Sequence, residues 1–283
     1  MKLIRYGTEG QEKPGVIINE KYYDVSHLVD EYNENFFSGT AIEELKQKIA
    51  AGGLPEIDKK VRLGAPLARP SKIVCIGLNY KDHAAETNMP IPTEPILFFK
   101  ATSAIAGPND DVIIPKNSTK TDWEVELAII IGKKASYVER ENAFDHIAGY
   151  ALHNDYSERA FQIERNGQWV KGKSADTFAP IGPFIITKDE IEDVNNLNLW
   201  LKVNDKMMQN GNTSNFIFDV AYIVSYISQF MTLLPGDIIS TGTPAGVGMG
   251  QKPEAWYLQP GDVVELGIEG LGTSKQNVKA YPL

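Results

Sequence analysis

Residues 121 to 132 read T-D-W-E-V-E-L-A-I-I-I-G, a run apolar enough to demand a buried strand, yet it carries two carboxylates, Glu124 and Glu126. Side chains alternate faces along a strand, so Trp123, Val125, Leu127 and Ile129 share one side and the two acids share the other. Their Cα atoms would lie roughly 6.5 to 7 Å apart. Burying both as anions is costly unless a cation lies between them, and a hard divalent ion taking one oxygen from each would remove that cost. The competing reading is the outer face of an antiparallel sheet, where both charges are hydrated. Spacing alone leaves the two open.

Around this strand the chain divides into two parts. Residues 1–68 form a small N-terminal α/β unit: M-K-L-I-R-Y and G-V-I-I-N predict hairpin strands, and A-I-E-E-L-K-Q-K-I-A-A-G-G an amphipathic helix with a glycine stop. L-G-A-P-L-A-R-P-S, with prolines at 66 and 70, reads as a linker. From 69 to 283 short apolar runs punctuated by Gly, Pro and Asn dominate: K-I-V-C-I-G, P-I-L-F-F-K, D-V-I-I-P, I-A-G-Y-A-L-H-N-D, G-P-F-I-I-T, L-N-L-W-L-K-V-N, D-I-I-S-T-G and D-V-V-E-L-G-I. Most of these predict strands. The clearest helix is D-V-A-Y-I-V-S-Y-I-S-Q-F-M, with a shorter one after Asp155. The fold class expected is β-rich α+β rather than a doubly wound sheet.

Further residues could carry chemistry. Asp155 ends an apolar strand where a helix begins, so it is either an N-cap or a third acid for the pair. His153, two residues earlier, could be a ligand or an ordinary core or surface histidine. In G-L-N-Y-K-D-H-A-A-E-T-N, His83 and Glu86 are three apart in a short helix that Asn79 would cap; a carboxylate-oriented imidazole is a workable base for activating water, and a solvated pair is the alternative. Lys100 and Lys173 follow apolar residues and could bind a carboxylate, although surface lysines are the ordinary case. The glycine-rich T-G-T-P-A-G-V-G-M-G lacks the Gly-Lys-Ser/Thr of a phosphate loop.

With 37 acidic against 28 basic residues the net charge is -9, which opposes nucleic acid and anionic membrane surfaces as partners. No apolar run is long enough to span a bilayer and no leader pattern is evident, so a cytoplasmic protein is expected. The single cysteine, Cys75, excludes an internal disulfide and reads as a buried, inert thiol.

Six segments, in order, resemble the fumarylacetoacetate hydrolase family: I-G-L-N-Y-K-D-H-A-A-E, F-F-K-A-T-S-A-I, D-W-E-V-E-L-A-I-I-I-G, N-D-Y-S-E-R, G-K-S-A-D-T-F-A-P-I-G-P and T-G-T-P-A-G-V-G. The resemblance runs from about residue 72 to the C-terminus. It implies a mixed β-roll and a Mg or Mn site whose ligands fall on Glu124, Glu126 and Asp155. It also implies a water-activating pair, His83 and Glu86, on a lid, with Lys100, Arg159, Gln162, Lys173 and Thr243 around the substrate and Lys173 balancing oxyanion charge. A homodimer or higher oligomer is implied as well. Tyr156 departs from the smaller residue of many members. The segment 164–183 looks most like hydrolases of 2,4-diketo-3-deoxy sugar acids such as fuconate and rhamnonate derivatives, giving pyruvate and a carboxylic acid. Oxaloacetate decarboxylases, isomerases and lyases of the family share the same motifs.

Overall fold

The computed structural model describes residues 1–282. Its main sheet has 11 strands, and the two-carboxylate strand, Val125–Ile131, lies well inside it. On one side it pairs antiparallel with Ile147–Asn154, on the other with Ile238–Ser240. Ile238–Ser240 then runs parallel to Ile73–Gly77, which pairs antiparallel with Ile96–Lys100 at the sheet edge. Every residue of Val125–Ile131 is buried, so this strand is covered on both faces. That is why it tolerates an unbroken apolar run.

A second sheet of five strands runs Lys206–Asn212, Asn198–Val203, Val263–Ile268, Gly272–Ala280 and Val112–Ile114. The nine apolar runs read from sequence all form strands. Lys206–Asn212 and Gly272–Ala280 were not foreseen. In the latter the buried positions are Ser274, Gln276 and Val278, so its inward face carries two polar side chains and shows no apolar alternation.

The helix expected near residue 220 is Val220–Ser228; Asp219 caps it by accepting the Tyr222 N–H, and Val220, Ile223, Val224 and Ile227 bury one stripe. The N-terminal hairpin forms as Lys2–Tyr6 against Lys13–Ile18. Lys2–Tyr6 also pairs with Ile185–Thr187, so the segments on either side of residue 68 share one sheet. Leu63–Gly64, in the proline-rich stretch, adds a short rung to Lys2–Tyr6. Among the described residues no helix is long and apolar enough to cross a membrane.

Candidate active site

The strand registers decide which side chains share a face. Glu126 pairs with His153, Ala128 with Ser240, Ser240 with Cys75 and Cys75 with Phe98. By alternation Glu124, Asp155, Gly77 and Lys100 join that same face. The Asp155 N–H donates to the Glu124 carbonyl at 2.9 Å, which sets those two acids side by side. Carboxylate oxygens of Glu124, Glu126 and Asp155 lie within 4.8 Å of one another. Their exposures are 5%, 1% and 0%, so the hydrated-face reading of the pair is overturned. Asp155 is not a helix cap either: Glu158 caps Arg159–Ile163, accepting the Ala160 N–H.

Cations surround the triad unevenly. Lys173 Nζ bridges Glu124 at 2.7 Å and Asp155 at 2.8 Å, while Lys100 Nζ donates to Asp155 at 2.5 Å and to the Tyr156 carbonyl at 3.0 Å. Arg159 lies 2.7 Å from Glu124 and donates from Nε to Asp122 at 2.8 Å. Among the described residues Glu126 has no ion pair; it accepts the Ser240 hydroxyl at 2.5 Å and the Gly242 N–H at 2.9 Å. Burial, with Asp155 and Glu124 close by, pushes Glu126 well above the usual carboxylate range. Burial also disfavours ionised Asp155, but Lys100 and Lys173 outweigh it and hold that carboxyl low. Four buried carboxylates, counting Asp122, thus face three buried cations. An all-oxygen donor set short of one positive charge fits a hard divalent ion such as Mg or Mn.

Above the triad lies a cavity of about 340 Å³ lined by Glu124, Glu126, Arg159, Gln162, Lys173, Thr243 and His83. His83 Nδ1 meets Glu86 Oε2 at 3.1 Å on the helix Lys81–Glu86, and the Gly246 N–H holds Glu86 Oε1 at 2.9 Å. Asn79 does not cap that helix. Its amide is spent on Phe218 and the Thr241 carbonyl, tying the helix start to neighbouring loops. Lys100 sits beneath Asp155 and does not line the cavity. Thr243 lines it while donating to the Val125 carbonyl and accepting from Gln209. Tyr156 is turned away, its hydroxyl donating to Gln276, so its phenol does not narrow the cavity. Cys75 is buried, with its thiol pushed well up by that burial.

The sequence reading missed three contributors. Asp122 shares its parity with Glu124 and Glu126 and accepts the N–H groups of Gly248 and Met249 as well as Arg159, so its signal lay in the same run of sequence, although it sits in the separate short strand Thr121–Asp122. Ser240 shows its role only through strand pairing. The glycine-rich loop, which lacks a phosphate signature, instead holds carboxylates of the protein itself: Glu126, Glu86 and Asp122.

Residues 72–279 match the family described as fumarylacetoacetate (FAA) hydrolase C-terminal. A protein of Sphingomonas sp. (strain SKA58) named 2,4-didehydro-3-deoxy-L-rhamnonate hydrolase is 50% identical over 284 residues, covering 99% of this chain and 97% of its own. The fumarylacetoacetate hydrolase of psychrophilic Exiguobacterium antarcticum superimposes with a TM-score of 0.85 at 37% identity, over 99% of this chain and all of that one. Maleylpyruvate hydrolase of Sphingobium sp. SYK-6, solved with manganese(II) and pyruvate, gives a TM-score of 0.82 at 30% identity over the whole of both chains.

Proposed function

Since this chain belongs to the fumarylacetoacetate hydrolase family and is a hydrolase, we propose that it cleaves the C3–C4 bond of 2,4-diketo acids, with 2,4-diketo-3-deoxy sugar acids preferred. The observation that carries this reading is the meeting of a buried acidic triad, Lys173 and the His83–Glu86 pair around one cavity. The 50% identity to a rhamnonate-derivative hydrolase supports the substrate class.

Glu124, Glu126 and Asp155 would hold Mg or Mn, which when bound supplies polarisation of a 2-oxo acid and neutralises enolate charge. Glu86 accepts from His83 Nδ1, which leaves Nε2 as the nitrogen able to take a proton from water. That water attacks C4, and the C3–C4 bond breaks with its electron pair left on C3. The proton held by His83 is available to return to C3, giving pyruvate and the second carboxylic acid. Lys173 balances the charge that develops on oxygen. The helix Lys81–Glu86 and the loop after it act as a lid that excludes bulk water. The protein works in the cytoplasm as a homodimer or higher oligomer.

Proton NMR of a 2,4-diketo-3-deoxy sugar acid with the protein and Mg should show pyruvate appear, and EDTA should stop it. His83→Ala should lower kcat by about 10²- to 10⁴-fold, the range for losing a positioned base. Absence of pyruvate from every 2,4-diketo acid tested with Mg and with Mn would overturn the reading; carbon dioxide released from oxaloacetate in the same tubes would replace it with decarboxylation.

A further inference from the structure

On the face that bears the acidic triad, one glycine makes room for an aromatic ring. At Gly77, in line with Ile73 and Cys75, a Cβ would come within 2.7 Å of Trp169 Cζ3 and 3.1 Å of Cη2. The benzo edge of this indole therefore rests on bare backbone. Phe98, on the neighbouring strand, meets the same ring edge-on, with centroids 5.3 Å apart and planes at 66°. Trp169 immediately precedes the short helix Val170–Lys173. It stands four residues before Lys173, a spacing that brings two side chains to one side of a helix. Both line the cavity. The cation is spent on Glu124 and Asp155, while the indole is only half-buried.

We propose that Trp169 is the specificity-determining residue for the substrate tail, contacting carbon 5 and beyond when the oxo-acid end lies at Lys173 and the triad; this rests on the 2,4-diketo acid reading above. Four residues of helix rise about 6 Å, a span that suits the two ends of a six-carbon acid. An indole offers an apolar face and, at the edge away from its benzo ring, one N–H donor. A deoxy sugar tail presents the matching mixture of C–H and O–H groups. The cavity mixes apolar side chains, Ile76, Met89 and Met249, with the polar Gln162 and Thr243, a lining that suits a tail of mixed C–H and O–H groups. Gly77 is a positioning residue in this scheme and acts only by letting the indole lie against the sheet.

The test compares Trp169→Phe, Trp169→Leu and Gly77→Ala with the wild type in the Mg-loaded enzyme. Specificity constants are measured for a 2,4-diketo-3-deoxy sugar acid and for acetylpyruvate, which lacks the hydroxylated tail. Trp169→Leu should lower the ratio of the two constants by about 10-fold through KM, the scale of one lost hydrogen bond with part of an aromatic contact. Trp169→Phe should fall between Leu and wild type, and Gly77→Ala should shift the ratio the same way with the indole still present. Equal losses on both substrates, or an unchanged ratio, would overturn the proposal and leave Trp169 as packing for Phe98. Calorimetric binding of a 2-oxo-3-deoxy sugar acid and of pyruvate decides the matter without turnover. Should the wild type cleave neither diketo acid, the catalytic reading falls, and selective weakening of the sugar-acid titration by Trp169→Leu still upholds this one; equal titrations of variant and wild type sink it.

Discussion

Ser240 has one proton and two close neighbours, Glu126 Oε2 at 2.5 Å and His153 Nδ1 at 2.7 Å. Glu126 Oε2 already accepts the Gly242 N–H, which marks it as an acceptor oxygen, so the serine proton goes to it. His153 must then carry its proton on Nδ1 and donate to Ser240. Burial keeps that ring neutral, lowering its pKa to about 3, and Nε2 is left without a partner. The histidine that the sequence offered as a possible ligand thus orients Glu126 through a serine. Ser240→Ala removes one of two donors fixing Glu126, and Mn affinity, read by electron paramagnetic resonance, should weaken by about 10- to 100-fold, as when an outer partner of a metal ligand is lost. Wild-type affinity in that variant would mean that Gly242 alone suffices. Glu124 and Glu126 drew notice as like charges at strand spacing in an apolar run, and Asp155 joined them only through the family motifs, because a lone acid at a strand end is as readily a helix cap. Ser240 drew none, since a serine at a strand end has many explanations.

Among the elements, the loop 241–250 does the positioning. Gly246 has φ +110°, and a Cβ there would lie 1.9 Å from the Met208 carbonyl oxygen, so both conformation and space require glycine. Its N–H is the one that holds Glu86. Gly246→Ala should move this backbone and loosen the His83–Glu86 pair, lowering kcat by about 100-fold, the cost of a 1 Å misplacement. Mn affinity should hold, because Glu126 is fixed by Gly242. A variant that loses both together would show the loop collapsing as a unit. Apolar strands were readable since their composition is their packing. The strands Lys206–Asn212 and Gly272–Ala280 were not, because their polar inward residues are satisfied by tertiary partners: Gln209 serves Val125 and Thr243, and Gln276 accepts from Tyr156. Asn79 misled for the same reason, its cap-like position being overridden by distant carbonyls.

For the whole molecule, the question is what fastens residues before 68 to those after. The Lys2–Tyr6 ladder reaches a partner strand over 180 positions away, Lys2 opposite Ile186, and no local pattern announces such a pairing. A second fastening is ionic. Arg62 donates to Asp110 at 2.8 and 2.6 Å, to Glu12 at 2.9 Å and to the Gly7 carbonyl at 3.2 Å, tying the hairpin to the turn after Ala106. Arg62→Leu should cost about 1.5 to 3 kcal/mol, the range for hydrogen bonds to charged groups, read as a lower urea midpoint. Burial raises the Glu12 pKa, but hydrogen bonding from Arg62 and the charges of Arg5 and Arg62 outweigh it, and the carboxyl ends below its usual value. A lowered folded-state pKa gives stability that is present above the unfolded value and lost as pH falls through the folded one. The gap between wild type and Arg62→Leu should therefore be full at pH 7 and shrink below about pH 4, where the unfolded glutamate protonates. A gap of equal size at pH 7 and pH 3 would assign the loss to the Arg62 side chain's packing and leave the ladder as the fastening that matters.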